Sequence, residues 1–314
     1  MIENEYSCWT IIVHYNGAEW IEKCLNSFSK TNFENNIIVV DNCSTEKEGL
    51  QIIRDKFLKV ILIQLDKNIG FGRANNVGIE LAIEKKAKYI FLLNQDAWIC
   101  EDDTIENLVR IANENPDYGI ISPIHYNSTQ TALDQGFGAY CANSKNAELI
   151  SDIFLRKFKS IYEIPFVNAA AWFLNVKNFE KIGFFDPDFF MYGEDTDLIN
   201  RIFYHHNKLG ITPLASICHA REYRTKNFPN SYLTFSEVSQ HYGRYLSVLK
   251  NVNHNFLKSL IQFLIESVAN LIKELSLKHW NRAFQISKII IKLLIELPTT
   301  FIKRRQFQKG IPNK

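Results

Sequence analysis

The feature that most restricts this chain is a repeated alternation. Apolar, β-branched runs recur near residues 9–13, 37–40, 60–64, 89–93 and 119–121, and the stretches between them, around 18–29, 46–57, 74–86 and 103–114, carry apolar residues at helical spacing. Strand alternating with helix predicts a mostly parallel sheet covered by helices, because parallel neighbours need a crossover and a helix is the usual one. Sheets of this kind bind ligands beyond the carboxyl ends of their strands. The residues directly after each run are therefore the informative ones.

Those residues are polar and turn-forming. His14-Tyr15-Asn16-Gly17 follows the first run, Asp41-Asn42-Cys43-Ser44 the second, and Asn94-Gln95-Asp96 the fourth. Each alone reads as an Asx turn or a helix cap. Three at equivalent topological positions read as one rim of a ligand crevice. After the third run, Gly70 and Gly72 relax a turn that enters a helix, where backbone N–H groups and Arg73 are available to a phosphate; a solvated Arg73 on a capped helix is the plainer alternative. The glycine spacing from Gly70 to Gly78 does not match G-x-G-x-x-G, which disfavours a nicotinamide oxidoreductase.

Between about 115 and 190 the alternation decays. Tyr126 to Ala142 is rich in Asn, Gln, Thr and Gly and reads as a variable, substrate-facing region, with Gln135-Gly136-Phe137-Gly138 as a turn or mobile loop. Residues 165–174 read as a strand or a small-residue turn against a pocket, with Trp172 on the acceptor side. Gly183 to Leu198 is the most acidic and most aromatic segment, and Asp195 and Asp197 stand where an amphipathic helix begins. Capping and the helix dipole explain one or two of its acids. The rest sit among aromatic residues, an environment that can hold a carboxylate as a base of raised pKa.

The net charge of +2 hides an asymmetry, because residues 250–314 hold 12 Lys/Arg against 3 Glu, which leaves −7 for residues 1–249. Within that basic segment, about 251–297 carries two apolar periodicities, one from Phe256 to Leu275 and one from Ile286 to Leu297. Lys258, Glu266, Lys273 and Glu274 interrupt the first and Lys288, Lys292 and Glu296 the second, so neither offers the ~20 predominantly apolar residues of a spanning helix. The two helices, with Lys303-Arg304-Arg305 behind them, read either as a hairpin for packing or homo-oligomerisation or as an interfacial anchor on anionic lipid. Basic charge confined to apolar-faced helices does not suit a nucleic-acid groove reader. The six cysteines lack C-x-x-C or zinc-ribbon spacing and the first fifteen residues lack a basic n-region, so a reducing, cytoplasmic setting is expected, at most at the inner face of a membrane.

Taken in order, Val13-His14-Tyr15-Asn16-Gly17, Val40-Asp41-Asn42-Cys43-Ser44, Asn68 to Asn76, Leu93-Asn94-Gln95-Asp96 and Gly193-Glu194-Asp195-Thr196-Asp197-Leu198 resemble the family 2 inverting glycosyltransferases, in particular the rhamnosyltransferase-like branch that builds bacterial surface polysaccharides. The resemblance covers roughly residues 8–245 and rests on the order and spacing of five motifs. It implies an α/β GT-A (Rossmann-like) fold over 1–245, with 246–314 as a C-terminal helical extension. It also implies a nucleotide-diphosphate sugar donor, a saccharide or lipid-linked saccharide acceptor, and Mg²⁺ or Mn²⁺. By resemblance Tyr15, Asn16 and Asp41 hold the nucleoside, Gly70 and Arg73 pass near base and phosphates, and Asn94 and Asp96 occupy the family's D-x-D position. Asp96 and His219 then hold the metal, Arg244 reaches the diphosphate, and Asp195 is the general base, with Glu194 beside it on the acceptor side. Asn94 departs from the acidic pattern and implies a weaker metal site. It also keeps open a catalytically idle nucleotide-sugar-binding or membrane-recruiting scaffold. A two-carboxylate hydrolase would leave the nucleotide-like rim without a use.

Overall fold

A computed structural model describes residues 7–31, 33–142, 146–221 and 232–310. The chain packs as two compact units. The first is built from the described parts of 1–69, 74–179 and 207–224, the second from 70–73, 180–206 and the described parts of 225–314.

The first unit is a mixed sheet flanked by helices. Its strands are β1 (Cys8–His14), β2 (Asn35–Asp41), β3 (Ile61–Gln64), β4 (Tyr89–Leu93), β5 (Ala97–Ile99), β6 (Tyr118–Tyr126), β7 (Tyr162–Glu163), β8 (Ala171–Asn175) and β9 (Lys208–His219). They run in the order β3-β2-β1-β4-β8-β6-β9-β5, with β7 pairing to β9. β3, β2, β1 and β4 are parallel, as is β6 on β9; β8 runs antiparallel between β4 and β6, and β5 and β7 are antiparallel to β9. Most paired residues lie in parallel ladders, as the alternation predicts. All five residues of β4 and nearly all of β1 are buried, the burial expected of central parallel strands covered on both faces.

The first unit's helices are α1 (Ala18–Asn26), α2 (Glu48–Lys56), α3 (Phe71–Glu84, whose first three residues belong to the second unit), α4 (Thr104–Glu114), α5 (Gln135–Cys141) and α6 (Ala147–Leu155); α7 (Phe179–Ile182) begins where the second unit takes over. Ile12, Ile21, Leu25, Val39, Phe91, Leu108, Ile111 and Phe173 share one apolar core. α4 shows how the sequence builds it: Ile105, Leu108, Val109, Ile111 and Ala112 recur at helical spacing and all are buried.

The second unit is helical. α8 (Glu194–Tyr204), α9 (Phe235–Lys250), α10 (Phe256–Ser276), α11 (Trp280–Ile295) and α12 (Leu297–Gln308) surround a core of Phe189, Tyr245, Leu249, Phe263, Ile289 and Leu293. α9 starts at a capping box in which Thr234 and Glu237 satisfy each other's backbone N–H groups. Where the sequence suggests two C-terminal helices, α9 and α12 join them. Gln135–Gly138, expected as a turn or mobile loop, instead opens α5, because Asp134 caps it by accepting the Phe137 N–H. Among the described residues, no helix is long and apolar enough to cross a membrane.

Candidate active site

The carboxyl ends of β1, β2 and β4 bring the three polar motifs to one rim of the first unit. Gln95 ties two of them together: His14 Nδ1 and the Tyr15 N–H both donate to its Oε1, at 2.8 and 3.0 Å, and its Nε2 returns a bond to the Tyr15 carbonyl. Burial lowers the His14 pKa, so the neutral ring donating through Nδ1 is the form this clamp uses. Asn16, held at φ 47°, receives the Thr45 and Glu46 N–H groups on Oδ1 and so fixes the loop after β2. Asp41 is buried and accepts the Ser44 N–H. Asn42 reaches Asn68 and the Ile69 N–H, which stitches the β2 loop to the turn before α3. Tyr15 is left 41% exposed at the rim, a phenol face available to a planar ligand.

The second cluster follows from strand register. Ala97 pairs with His219, and the Ala220 N–H donates to the Asp96 carbonyl, so β5 and β9 bring Asp96 beside His219. His219 Nε2 lies 3.5 Å from Asp96 Oδ1, and Nδ1, across the same ring, lies 3.3 Å from Asp134 Oδ2. Arg221 Nε stands 3.5 Å from that same Asp134 oxygen. Burial alone would raise the Asp134 pKa, but the contact with His219, the Phe137 N–H and the Arg221 charge hold it down to about 2. His125, buried and stacked 4.7 Å from Phe137, is pushed down to about 3 by burial and by His219, and stays neutral. A Cβ on Gly136 would collide with the Arg221 guanidinium, so a glycine there gives Arg221 its place.

A divalent cation fits this donor set in part. Asp96 and His219 supply one carboxylate and one imidazole close enough to share an ion, and Asp134 backs the far ring nitrogen as outer carboxylates commonly do for a metal-binding histidine. Among the described residues, no group of three or more His, Cys, Asp or Glu forms a complete cage. Mg²⁺ and Mn²⁺ sites often hold one or two protein ligands, with substrate phosphates and water completing the sphere.

In the second unit the acidic segment is sorted by its partners. Asp197 is buried and bonds Arg201 Nε at 2.9 Å, while the Arg201 guanidinium donates to the carbonyls of Ile182, Gly183 and Phe184. This pair holds the turn before the motif. Asp186 and Asp188 share Lys250, itself 1% exposed, and Asp188 also meets Lys303. Glu194 and Asp195 remain at the start of α8. Glu194 is buried with no hydrogen-bond partner for Oε2, and burial together with the neighbouring Asp195 charge pushes its pKa up to about 8. Asp195 is half-buried and accepts the Thr196 N–H at 2.7 Å.

The Gly70–Arg73 segment packs on this acidic turn. The Phe71 N–H donates to the Phe190 carbonyl at 3.0 Å, Phe71 meets Phe185 edge-on, and Arg73 Nε donates to the Pro187 carbonyl at 2.6 Å. A cavity of about 670 Å³ opens beside Arg73, lined also by Tyr242, Gln285, Lys288 and Lys292.

The remaining expected residues fall as follows. Asn94 accepts the Ala97 N–H in the tight turn between β4 and β5. Trp172 is fully buried in β8 opposite Leu92. Arg244 is exposed and bonds Glu266 of α10 at 2.9 Å, an ion pair within the helical unit. The sequence places Gln95 in the rim motif without a role of its own and assigns nothing to Asp134, Arg221 or Lys250. Only Asp134 carried a local signal, an acid at the N-cap of a short helix.

The parallel strands, with a carboxylate and a histidine at their carboxyl ends, have the GT-A fold of glycosyltransferases. Residues 9–183 match Glycosyl transferase family 2, and the chain belongs to that family. It is 28% identical over 151 residues to the teichoic acid poly(glycerol phosphate) polymerase of Staphylococcus epidermidis, a match that takes in 47% of this chain and only 20% of that relative's length. It is 27% identical to the dTDP-rhamnosyl transferase RfbF of Shigella flexneri, over 68% of each chain. Among solved structures, the mannosyltransferase PcManGT from Pyrobaculum calidifontis, in complex with GDP-Man and Mn²⁺, superposes with a TM-score of 0.55 at 14% identity, over 98% of this chain and 86% of that one.

Proposed function

We propose that this chain transfers a hexose or deoxyhexose from a nucleoside diphosphate sugar to a hydroxyl of a saccharide or lipid-linked saccharide, with inversion, in the synthesis of a surface polysaccharide. The observation that carries the reading is the sorting of the acids between 186 and 197. Asp186, Asp188 and Asp197 are each engaged by a buried cation, and Glu194, with its pKa near 8, is protonated at neutral pH. Asp195, half-buried beside Glu194 in the first turn of α8, is the carboxylate assigned as general base.

In that reaction the acceptor O–H proton passes to the Asp195 carboxylate as the acceptor oxygen forms its bond to the anomeric carbon. The bond from that carbon to the diphosphate oxygen breaks, and the leaving nucleoside diphosphate keeps the electron pair. One direct displacement inverts the centre. Asp96 and His219 are assigned as ligands of Mg²⁺ or Mn²⁺, which when bound neutralises charge developing on the departing diphosphate. Tyr15, Asn16 and Asp41 are assigned to the nucleoside, with Gln95 holding Tyr15 in place. Arg73, Lys288 and Lys292 outnumber Asp188, itself engaged by Lys250 and Lys303, in the lining of the second unit's cavity, a balance that suits a phosphate-bearing acceptor. The relatives support the donor class and divide on its base, since one is named for dTDP-rhamnose and another holds GDP-Man. Residues 246–314 are assigned as an appendage to this catalytic function.

The test is Asp195→Asn with a panel of nucleotide sugars and Mn²⁺. Transfer is expected to fall by about 10²–10⁴-fold while nucleotide affinity is kept, and the anomeric proton coupling of the wild-type product should report inversion. Undiminished turnover removes Asp195 from the mechanism. Donor binding without any donor hydrolysis or transfer across the panel would favour the idle scaffold that Asn94 keeps in view.

A further inference from the structure

α10 is apolar on two sides. Phe263 faces the helical core, whereas Leu257, Ile261, Leu264, Ile265, Val268 and Ile272 are 39–65% exposed. At 100° per residue these six fall within an arc of about 100°, one continuous row on the far side of the helix from Phe263. α11 repeats the arrangement: Ile289 and Leu293 enter the same core, while Trp280, Phe284, Ile291 and Ile295 are 56–74% exposed. Exposed apolar rows of this length are rarely left to water without a purpose.

The charges of these helices are also sorted. All three glutamates between 250 and 310 are engaged: Glu266 by Arg244, Glu274 by Arg282 and His279, and Glu296 by the Tyr242 hydroxyl. Lys258, Lys273 and Lys278 are exposed in or just after α10, and Lys288 and Lys292, which also line the cavity beside Arg73, are exposed on α11. Each of the two helices therefore presents an outward apolar row near exposed lysines, and the carboxylates of this segment are occupied. Charge complementarity selects an anionic partner and disfavours a second copy of the chain, which would oppose exposed lysines to exposed lysines.

We propose that the outer face of α10 and α11 docks on an anionic bilayer, with the apolar rows entering the headgroup–acyl boundary and the lysines meeting lipid phosphates. The helices lie in the interface and do not span it. The proposal goes beyond the transferase reading, and its readout needs no donor or acceptor.

The full chain is floated with phosphatidylcholine vesicles, with and without phosphatidylglycerol, at low and high salt. Binding to the anionic vesicles is expected to exceed binding to neutral ones by at least tenfold and to weaken with salt. The triple variant Leu257→Gln, Ile261→Gln, Ile265→Gln should lose at least tenfold in vesicle affinity, with its thermal transition unchanged, because these side chains are exposed. Lys258→Gln, Lys273→Gln, Lys278→Gln should remove the salt dependence. Equal binding to both vesicle types, or undiminished binding by the apolar triple variant, overturns the proposal. A dimer in sedimentation that this triple variant dissolves, with no vesicle binding by the wild type, also overturns it and makes the face a contact between copies.

Discussion

Asp134 Oδ2 stands 3.3 Å from Nδ1 of His219, on the side of the imidazole opposite Asp96. Asp134 is 2% exposed and caps α5, so its carboxylate cannot swing away, and its pKa near 2 keeps it charged across the neutral range. A fixed anion behind Nδ1 favours the tautomer with its proton there and turns the Nε2 lone pair toward Asp96.

Asp134→Asn keeps a capping side chain and removes the charge. We expect Mn²⁺ affinity in the presence of nucleoside diphosphate to fall about 10–100-fold, measured by the Mn²⁺ resonance signal, with a lower thermal transition at neutral pH, because Asn keeps the cap but not the charge that the depressed pKa marks as stabilising. Unchanged Mn²⁺ affinity would reduce Asp134 to a helix cap.

Glu194 predicts an unusual pH dependence. Its folded pKa, near 8, lies above the ordinary 4.5, so the folded chain holds a proton that the unfolded chain has released between those values. Stability drawn from this group is present below about 4.5, falls as pH rises, and is fully lost above about 8. Glu194→Gln removes that loss. The variant should match the wild type near pH 4 and exceed it near pH 9, by an amount on the order of 2–4 kcal/mol, read from denaturant midpoints at the two pH values. A constant difference across pH would contradict the assignment of Glu194 as the protonated partner.

Lys250 binds Asp186, which is 0% exposed, and Asp188. Lys250→Met leaves a buried carboxylate without its cation, and we expect a loss of about 3–5 kcal/mol at neutral pH. The folded Asp188 pKa lies below its ordinary value: burial raises it, and Lys250 and Lys303 more than reverse that. Stability from Asp188 is therefore present above about pH 4 and lost as pH falls further. The Lys250→Met deficit should shrink in acid, and adding Asp186→Asn should restore part of it at pH 7. Chemical denaturation of the two variants checks both statements.

What could be read in the sequence was whatever depends on local period. β1 to β4 and β6 follow from apolar runs of 4–9 residues, and α1 to α4 from segments of 9–14 residues whose apolar positions recur about every 3.6. The polar motifs lie just past those runs, so the rim was legible with them. β5 and β7 are two or three residues long, too short to show a period, yet β5 is what brings Asp96 beside His219. Lys250 and Asp186 are 64 residues apart, and no spacing rule joins them. Resemblance supplied Asp195, but the pairing of Asp197 with Arg201 and the burial of Glu194 that distinguish these neighbours exist only in the folded chain.

Gly70 and Gly138 offer a contrast that isolates the role of the α3 turn. Gly70 sits at φ 90°, where a side chain is strained, and an added Cβ would also press into the Phe190 carbonyl that accepts the Phe71 N–H. Gly70→Ala must therefore shift the segment that carries Arg73 away from the acidic turn. We expect a loss of about 2 kcal/mol or more from the left-handed backbone and the displaced hydrogen bond together, with kcat reduced beyond what the lost stability explains. Gly138 lies inside α5, and a Cβ there would meet Leu133 only at 3.8 Å, an ordinary contact. Gly138→Ala should raise stability by about 0.5–1 kcal/mol and leave kcat alone. Thermal melts and initial rates of the two variants decide the matter: if both alanines prove equally mild, the turn before α3 is not the constraint that holds Arg73 on the acidic segment.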